Sequence, residues 1–265
     1  MTPAAFAHQL VAEDIQRDLG TQRVGRSVMV LPDVDSTNTY ALNRLTVDGT
    51  VVFAELQTAG RGRLGRPWQS PRGASLTFTT LLLEPPGRIA PTRWMMAGAV
   101  AVAQAIARET DVAPVVRWPN DLYVGPRKLA GVLVETRSLP TGRMAVAIGI
   151  GVNCLQQPGH FPPDLREKAT SLEIESSQPI DRTALARALL RRLDYLLASH
   201  ERPTDDELAV QWREASADLG GRARLLSDGQ EFGGQIIDIH PATGLLLQLD
   251  DGGRRQFDPQ TTTRL

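Results

Sequence analysis

An α+β fold, with a mixed, mostly antiparallel sheet backed by helices, follows from three observations. Apolar strands between residues 115 and 152 are joined by short loops at Gly125-Pro126 and Pro140-Thr141-Gly142. Such loops make hairpins, whereas parallel neighbours need long crossovers. An alanine-rich stretch at 92–109, bounded by Pro91 and Pro114, predicts one long helix whose small residues let it lie close to a sheet. From Leu219 onward, short apolar runs alternate with turn sequences at Ser227-Asp228-Gly229, Pro241-Ala242-Thr243-Gly244 and Asp250-Asp251-Gly252-Gly253. That spacing predicts a small all-β module. A chain of 265 residues is long enough to bury one large core beside such a module. The expected division is a short N-terminal helical segment at 1–27, a main domain at 28–218 and the β module at 219–265.

In chain order, Phe6, Leu10, Val11, Ile15 and Leu19 recur near helical spacing and predict a short amphipathic helix over 4–19. Residues 28–31 predict a strand. Asp35-Ser36-Thr37-Asn38 then supplies several caps for a helix carrying Tyr40, Ala41, Leu42 and Leu45. A strand at 51–55 runs directly into an arginine-glycine loop, and a strand at 75–83 is closed by Pro85-Pro86. After the long helix come strands at 115–118 and 122–124, at 129–135 and at 144–152. Helices are expected at 182–199 and 205–217.

The net charge of −1 lacks the basic surplus of a dedicated nucleic-acid binder. A single cysteine, Cys154, excludes an internal disulfide and a multi-cysteine zinc site, and fits a small buried apolar residue in a reducing cytoplasm. No secretory signal is expected from Met1-Thr2-Pro3-Ala4-Ala5-Phe6, and no run reaches the length of a membrane span. His8, His160, His200 and His240 show no metal-ligand spacing. There is no G-x-S-x-G elbow and no Walker lysine.

Gln57-Thr58-Ala59-Gly60-Arg61-Gly62-Arg63-Leu64-Gly65-Arg66-Pro67-Trp68 is the most informative segment. Glycine lets backbone amides turn inward, and arginine forks onto carboxylate or phosphate. The pattern suits a flexible clamp for an anion, the bland alternative being an exposed basic turn. Residues 60–65 also match the dinucleotide fingerprint G-x-G-x-x-G. That reading fails because a helix must open at the third glycine, and Pro67, Pro71 and Gly73 forbid one here. In Arg117-Trp118-Pro119-Asn120-Asp121-Leu122-Tyr123, proline marks a bend that points polar side chains into a cleft or merely closes an Asx turn. Lys128, at the mouth of the apolar strand 129–135, either snorkels to water or faces a ligand anion. Gly131 in that strand admits close approach of another group. The Asp35-Ser36-Thr37-Asn38 block either caps its helix or binds a polar head group.

In this order along roughly residues 28–265, the Asp35-Ser36-Thr37-Asn38 block, the arginine-glycine loop with Gln57, Trp118-Pro119-Asn120-Asp121, Arg127-Lys128-Leu129-Ala130-Gly131-Val132-Leu133-Val134-Glu135 and Gly149-Ile150-Gly151-Val152-Asn153 together resemble the catalytic domain of biotin protein ligases. The resemblance implies a fold like that of class II aminoacyl-tRNA synthetases with an SH3-like C-terminal barrel. It implies biotin–[acetyl-CoA-carboxylase] ligase chemistry: biotin and ATP form biotinyl-5′-AMP, and a carrier lysine then takes the biotinyl group. Lys128 and Arg63 become the expected catalytic residues. Ser36, Thr37, Asn38, Gln57, Arg61, Gly62, Arg63, Lys128 and Gly131 become the biotin site, and Arg61, Arg63, Trp68, Asn120, Lys128 and Asn153 the ATP and adenylate site. Magnesium is expected with ATP, without a dedicated protein cage. The implied partner is a biotin carboxyl carrier protein or domain, with no DNA or membrane partner and with a homodimer compatible with the sequence. Two departures stand out. Arg117 replaces a lysine common in relatives, and the residues before the Asp-Ser-Thr-Asn block are too few for the helix-turn-helix of the repressor type. Lipoate or octanoyl transfer, and biotin-dependent regulation without catalysis, remain the competing readings.

Overall fold

The computed structural model describes residues 9–87, 90–197 and 201–265. Strands β1 (Ser27–Leu31), β2 (Thr50–Ala54), β3 (Ser75–Glu84), β4 (Val115–Arg117), β5 (Asp121–Val124), β6 (Arg127–Ser138) and β7 (Met144–Asn153) form one seven-stranded sheet. Its order is β1-β2-β3-β7-β6-β5-β4. Only β1 and β2 pair in parallel, and they are joined through helix α2 (Thr37–Arg44), as a parallel crossover requires. The loops at 125–126 and 140–142 make the expected hairpins β5–β6 and β6–β7.

The long helix α3 (Pro91–Glu109) packs against one face of this sheet together with α5 (Arg182–Leu197). Ala97, Ala99, Ala101, Ala103 and Ala105 are buried, and Gly98 touches β6 so closely that a Cβ there would sit 2.9 Å from Val132 Cγ1. Leu76, Phe78, Val132, Ile148, Ile150 and Val152 fill this side of the sheet in one core with Trp94, Met96 and Leu189. The opposite face is covered by α2, whose Leu42 packs with Leu81, Leu83 and Ala145. The two faces alternate along every strand because successive side chains point to opposite sides.

The N-terminal helix is shorter than expected. Helix α1 covers only Ala12–Gln16, and residues 1–8 of the expected segment lie outside the described residues. Asp18 and Gly20 take left-handed backbone angles, φ 50° and 70°, which end the helix before Leu19. The Leu10 amide donates to the Glu55 carboxylate instead of entering a helix. Helix α6 (Asp205–Ala215) begins with a Thr204–Glu207 capping box. The last residues of the helix expected at 182–199 fall partly outside the described residues. A short helix, α4 (Leu172–Glu175), was not expected.

The tail carries strands β8 (Arg222–Ser227), β9 (Gln230–His240), β10 (Gly244–Leu249), β11 (Arg254–Phe257) and β12 (Thr262–Arg264), in the order β11-β10-β9-β8-β12. The expected closed barrel is not formed: the sheet is open, and its outer strands β11 and β12 do not pair. Pro259, between them, has no amide hydrogen with which to continue a ladder. The sheet is fastened to β4 through Asp218, a buried carboxylate that accepts the Trp118 amide at 2.6 Å and pairs with Arg264. No helix among the described residues is long and apolar enough to cross a membrane.

Candidate active site

Strand register assembles the site. Thr77, Gly151, Gly131 and Asp121 are direct neighbours across β3, β7, β6 and β5. The next row is Thr79, Gly149 and Leu133. Both rows lie on the face away from α3. Its glycines leave a lane along the sheet that other side chains enter. A Cβ at Gly149 would lie 2.3 Å from Asn38 Oδ1, and one at Gly151 would lie 2.5 Å from the Trp68 indole. Strand β7 could carry alanine at neither position without displacing these groups.

Helix α2 places Thr37 and Asn38 at its first turn, both buried. Gln57 Oε1 accepts from the Thr37 amide at 2.7 Å and from its hydroxyl at 3.0 Å. Thr79 Oγ1 lies 2.8 Å from the Thr37 hydroxyl and donates to Asn38 Oδ1 at 2.6 Å. Asn38 Nδ2 donates to Glu135 at 2.8 Å, and Arg61 reaches the same carboxylate at 3.1 Å. One hydrogen-bonded chain therefore runs from Gln57 to the arginine loop. Ser36, the N-cap residue of α2, is buried, yet its side chain makes no capping hydrogen bond. Helix capping does not account for its hydroxyl.

The arginine loop folds back on itself. The Gly62 amide donates to Arg66 O at 2.7 Å and the Trp68 amide to Gly60 O at 2.9 Å. Leu64 and Gly65 both have positive φ, 56° and 72°. A Cβ at Gly60 would lie 2.4 Å from Trp68 O, so the base of the loop requires glycine. Trp68 Nε1 is buried and has no hydrogen-bond partner among the described residues.

Lys128 and Asp121 form the centre. Lys128 Nζ stands 2.7 Å from Asp121 Oδ1 and is partly open to solvent. Both groups lie over Gly131, whose Cβ would come within 3.4 Å of the ammonium. The Lys128 backbone is held on its other side: its amide donates to Lys168 O at 2.7 Å, and its carbonyl accepts from Thr170 at 2.9 Å. A half-exposed ion pair contributes little to stability, so its consequence is placement of the ammonium. Arg63 approaches from the loop, its Nη1 3.5 Å from Asn120 Oδ1. Burial pulls the Arg63 guanidinium below its ordinary pKa, and Arg66 adds to this, while the Asp121 and Asp258 carboxylates act against it. Lys128 thus pairs with Asp121, while Arg63 sits beside the neighbouring Asn120.

Of the expected residues, Thr37, Asn38, Gln57, Arg61, Gly62, Arg63, Trp68, Asn120, Lys128 and Gly131 gather around this lane. Asn153 lies deeper. Its amide donates to Thr170 O at 2.9 Å and accepts from Gln156 at 3.0 Å, so it braces the segment that holds Lys128. Arg117 points elsewhere, stacking 4.4 Å over Tyr123 and donating to Gly125 O. Sequence reasoning assigned no role to Thr79 or Glu135, and gave Asp121 only a place at a bend, facing a cleft or closing an Asx turn. The alternation Ser75, Thr77, Thr79 at the start of β3 was a usable signal for the first. Among the described residues, no group of three or more His, Cys, Asp or Glu is gathered to hold a metal ion.

Residues 30–153 match the model of the biotin/lipoate A/B protein ligase family. The chain is 33% identical to the biotin–[acetyl-CoA-carboxylase] ligase of Mycobacterium tuberculosis over 253 residues, covering 90% of this chain and 91% of that one. It is 30% identical to the bifunctional ligase/repressor BirA of Bacillus subtilis over 254 residues, covering 94% and 78%. The biotin protein ligase of Aquifex aeolicus, solved in complex with biotin and ATP, superimposes with a TM-score of 0.77 at 26% identity, over 91% of this chain and 100% of that one.

Proposed function

We propose a function on one premise: the chain belongs to the biotin/lipoate A/B protein ligase family. The protein is a biotin protein ligase. It activates biotin with ATP as biotinyl-5′-AMP and transfers the biotinyl group to a lysine of a biotin carboxyl carrier protein. The observation that carries this reading is the Lys128 ammonium standing over Gly131 in a glycine-floored lane, with Arg63 beside the adjoining Asn120.

The first step joins two anions. A carboxylate oxygen of biotin attacks the α-phosphorus, and pyrophosphate leaves with the electron pair of the broken P–O bond. Unit charges of like sign at contact repel by about 4 kcal/mol at the dielectric of a protein surface. Fixed cations between them remove that barrier and stabilise the charge that grows in the transition state. Lys128 exchanges its contact with Asp121 for the carboxylate and α-phosphate oxygens. Arg61 and Arg63 close over the same atoms, and Arg63 retains the adenylate. Ser36, Thr37, Asn38 and Gln57 hold the ureido ring and neighbouring polar atoms of biotin, Gly131 leaves room for it, and Trp68 and Asn120 line the nucleotide side. ATP enters as its magnesium complex, the ion being held by phosphates and water. In the second step the carrier amine attacks the acyl carbon, AMP departs, and the amine sheds a proton.

The net charge of −1 favours a reading without DNA as a partner. The test is incubation with ATP and labelled biotin or lipoate beside a carrier domain. Pyrophosphate release that depends on biotin, with biotinylation of the carrier, is expected. Labelling by lipoate alone, or binding of biotin without pyrophosphate release, would overturn the proposal.

A further inference from the structure

We propose that the turn at 258–262, in the tail sheet, belongs to the active site: its backbone carbonyls hold the Arg63 guanidinium in place, and Asp258, which shapes the turn, is a positioning residue for retention of the adenylate. This rests on the function proposed above. Arg63 Nη2 donates to Pro259 O and to Thr262 O, the latter at 2.8 Å. These contacts join residues 196 and 199 positions apart in the chain. They meet a rigid partner. Thr262 is fully buried, with its hydroxyl 3.2 Å from Ser227 Oγ, and Asp218 ties the module to β4. Asp258, on the exposed rim, accepts the Gln260 amide at 2.6 Å through its carboxylate and the Thr262 amide at 3.1 Å through its carbonyl. These two bonds turn the carbonyls of 259 and 262 toward the loop.

The kind of partner matters. Arg61 lies against the carboxylate of Glu135, a contact it must exchange to meet an incoming anion, as Lys128 must with Asp121. Arg63 is held by neutral carbonyls, which fix the planar fork and leave its charge for an incoming anion. A guanidinium on a loop alone would lose rotamer freedom on each encounter. One that is already oriented loses less.

Asp258→Ala removes the bond to Gln260, and Gln260→Pro removes its donor, so the two variants reach the turn independently. The measurement is the rate at which preformed biotinyl-5′-AMP escapes, read as labelling of bystander lysines, beside the KM for biotin and thermal melting. Loss of the carbonyl contacts is expected to raise escape about tenfold in both variants, more than it changes the KM. Asp258→Asn keeps an acceptor oxygen and restores retention. In an Arg63→Gly background, Asp258→Ala adds nothing. Escape at the wild-type rate in both variants, or additive leakage in the double variant, overturns the proposal while leaving the ligase reading intact. Failure of the wild-type protein to form any adenylate overturns both.

Discussion

The two faces of the seven-stranded sheet share every strand and differ in almost every property. Along β7, Ile148, Ile150 and Val152 point to α3, while Gly149 and Gly151 face α2 and the arginine loop. One face is close-packed against an alanine-rich helix. The other trades side-chain volume for a lane that Asn38 and Trp68 enter. Period-two alternation lets a single strand serve stability and chemistry without mixing them. The glycine-floored face depends on hydrogen bonds between distant segments. The other depends on buried apolar area.

The sharpest break of this comparison is Lys128→Ala. It should lower biotin-dependent pyrophosphate release by about 10²–10³-fold, as loss of one fixed electrostatic group does elsewhere, with little change in melting temperature. On the opposite face, Ile150→Ala should cost about 2–5 kcal/mol in denaturant unfolding and leave the KM for biotin where it was. A large KM effect from Ile150→Ala would show that the two faces are not separable. Gly149→Ala pushes Asn38 from its place and should raise the KM for biotin about tenfold, the equivalent of one hydrogen bond. The smallest effect concerns Cys154, whose thiol burial pushes up to about 12 from its ordinary 9.0. The folded state therefore favours the protonated thiol. Its contribution is whole below pH 9 and is lost as pH rises toward 12. Cys154→Ala should flatten the stability profile over that window, and thiol reagents should leave the folded wild type unmodified.

Local signals made the hairpins, the alanine-rich helix and the turn-spaced tail legible, because each is encoded within a short window of sequence. Helix 4–19 misled because its apolar spacing is genuine, yet Asp18 and Gly20 break the backbone and Glu55, far along the chain, takes the Leu10 amide. The tail suggested a barrel because strand spacing predicts a sheet and says nothing about closure. In the site, arginine, glycine and lysine positions announced themselves by type. Glu135 and Thr79 did not, since their roles arise from register: Thr79 meets Asn38 only because β3 pairs with β7 at Gly149. Asp121 read either as a cleft-facing polar group or as a turn residue, and β5–β6 pairing sets it over Gly131. The contact between Arg63 and the tail carbonyls has no local signature at all.

The central claim is that the glycine-floored face brings carboxylate and phosphate together between two cations. A crystal structure with biotinyl-5′-AMP tests it most directly. The account predicts the acyl-phosphate on the side of Gly149 and Gly151, with Lys128 Nζ moved from Asp121 to the ligand oxygens and Arg63 across from it. An adenylate bound on the α3 side, or Lys128 still paired with Asp121 and out of reach of the ligand, would contradict it.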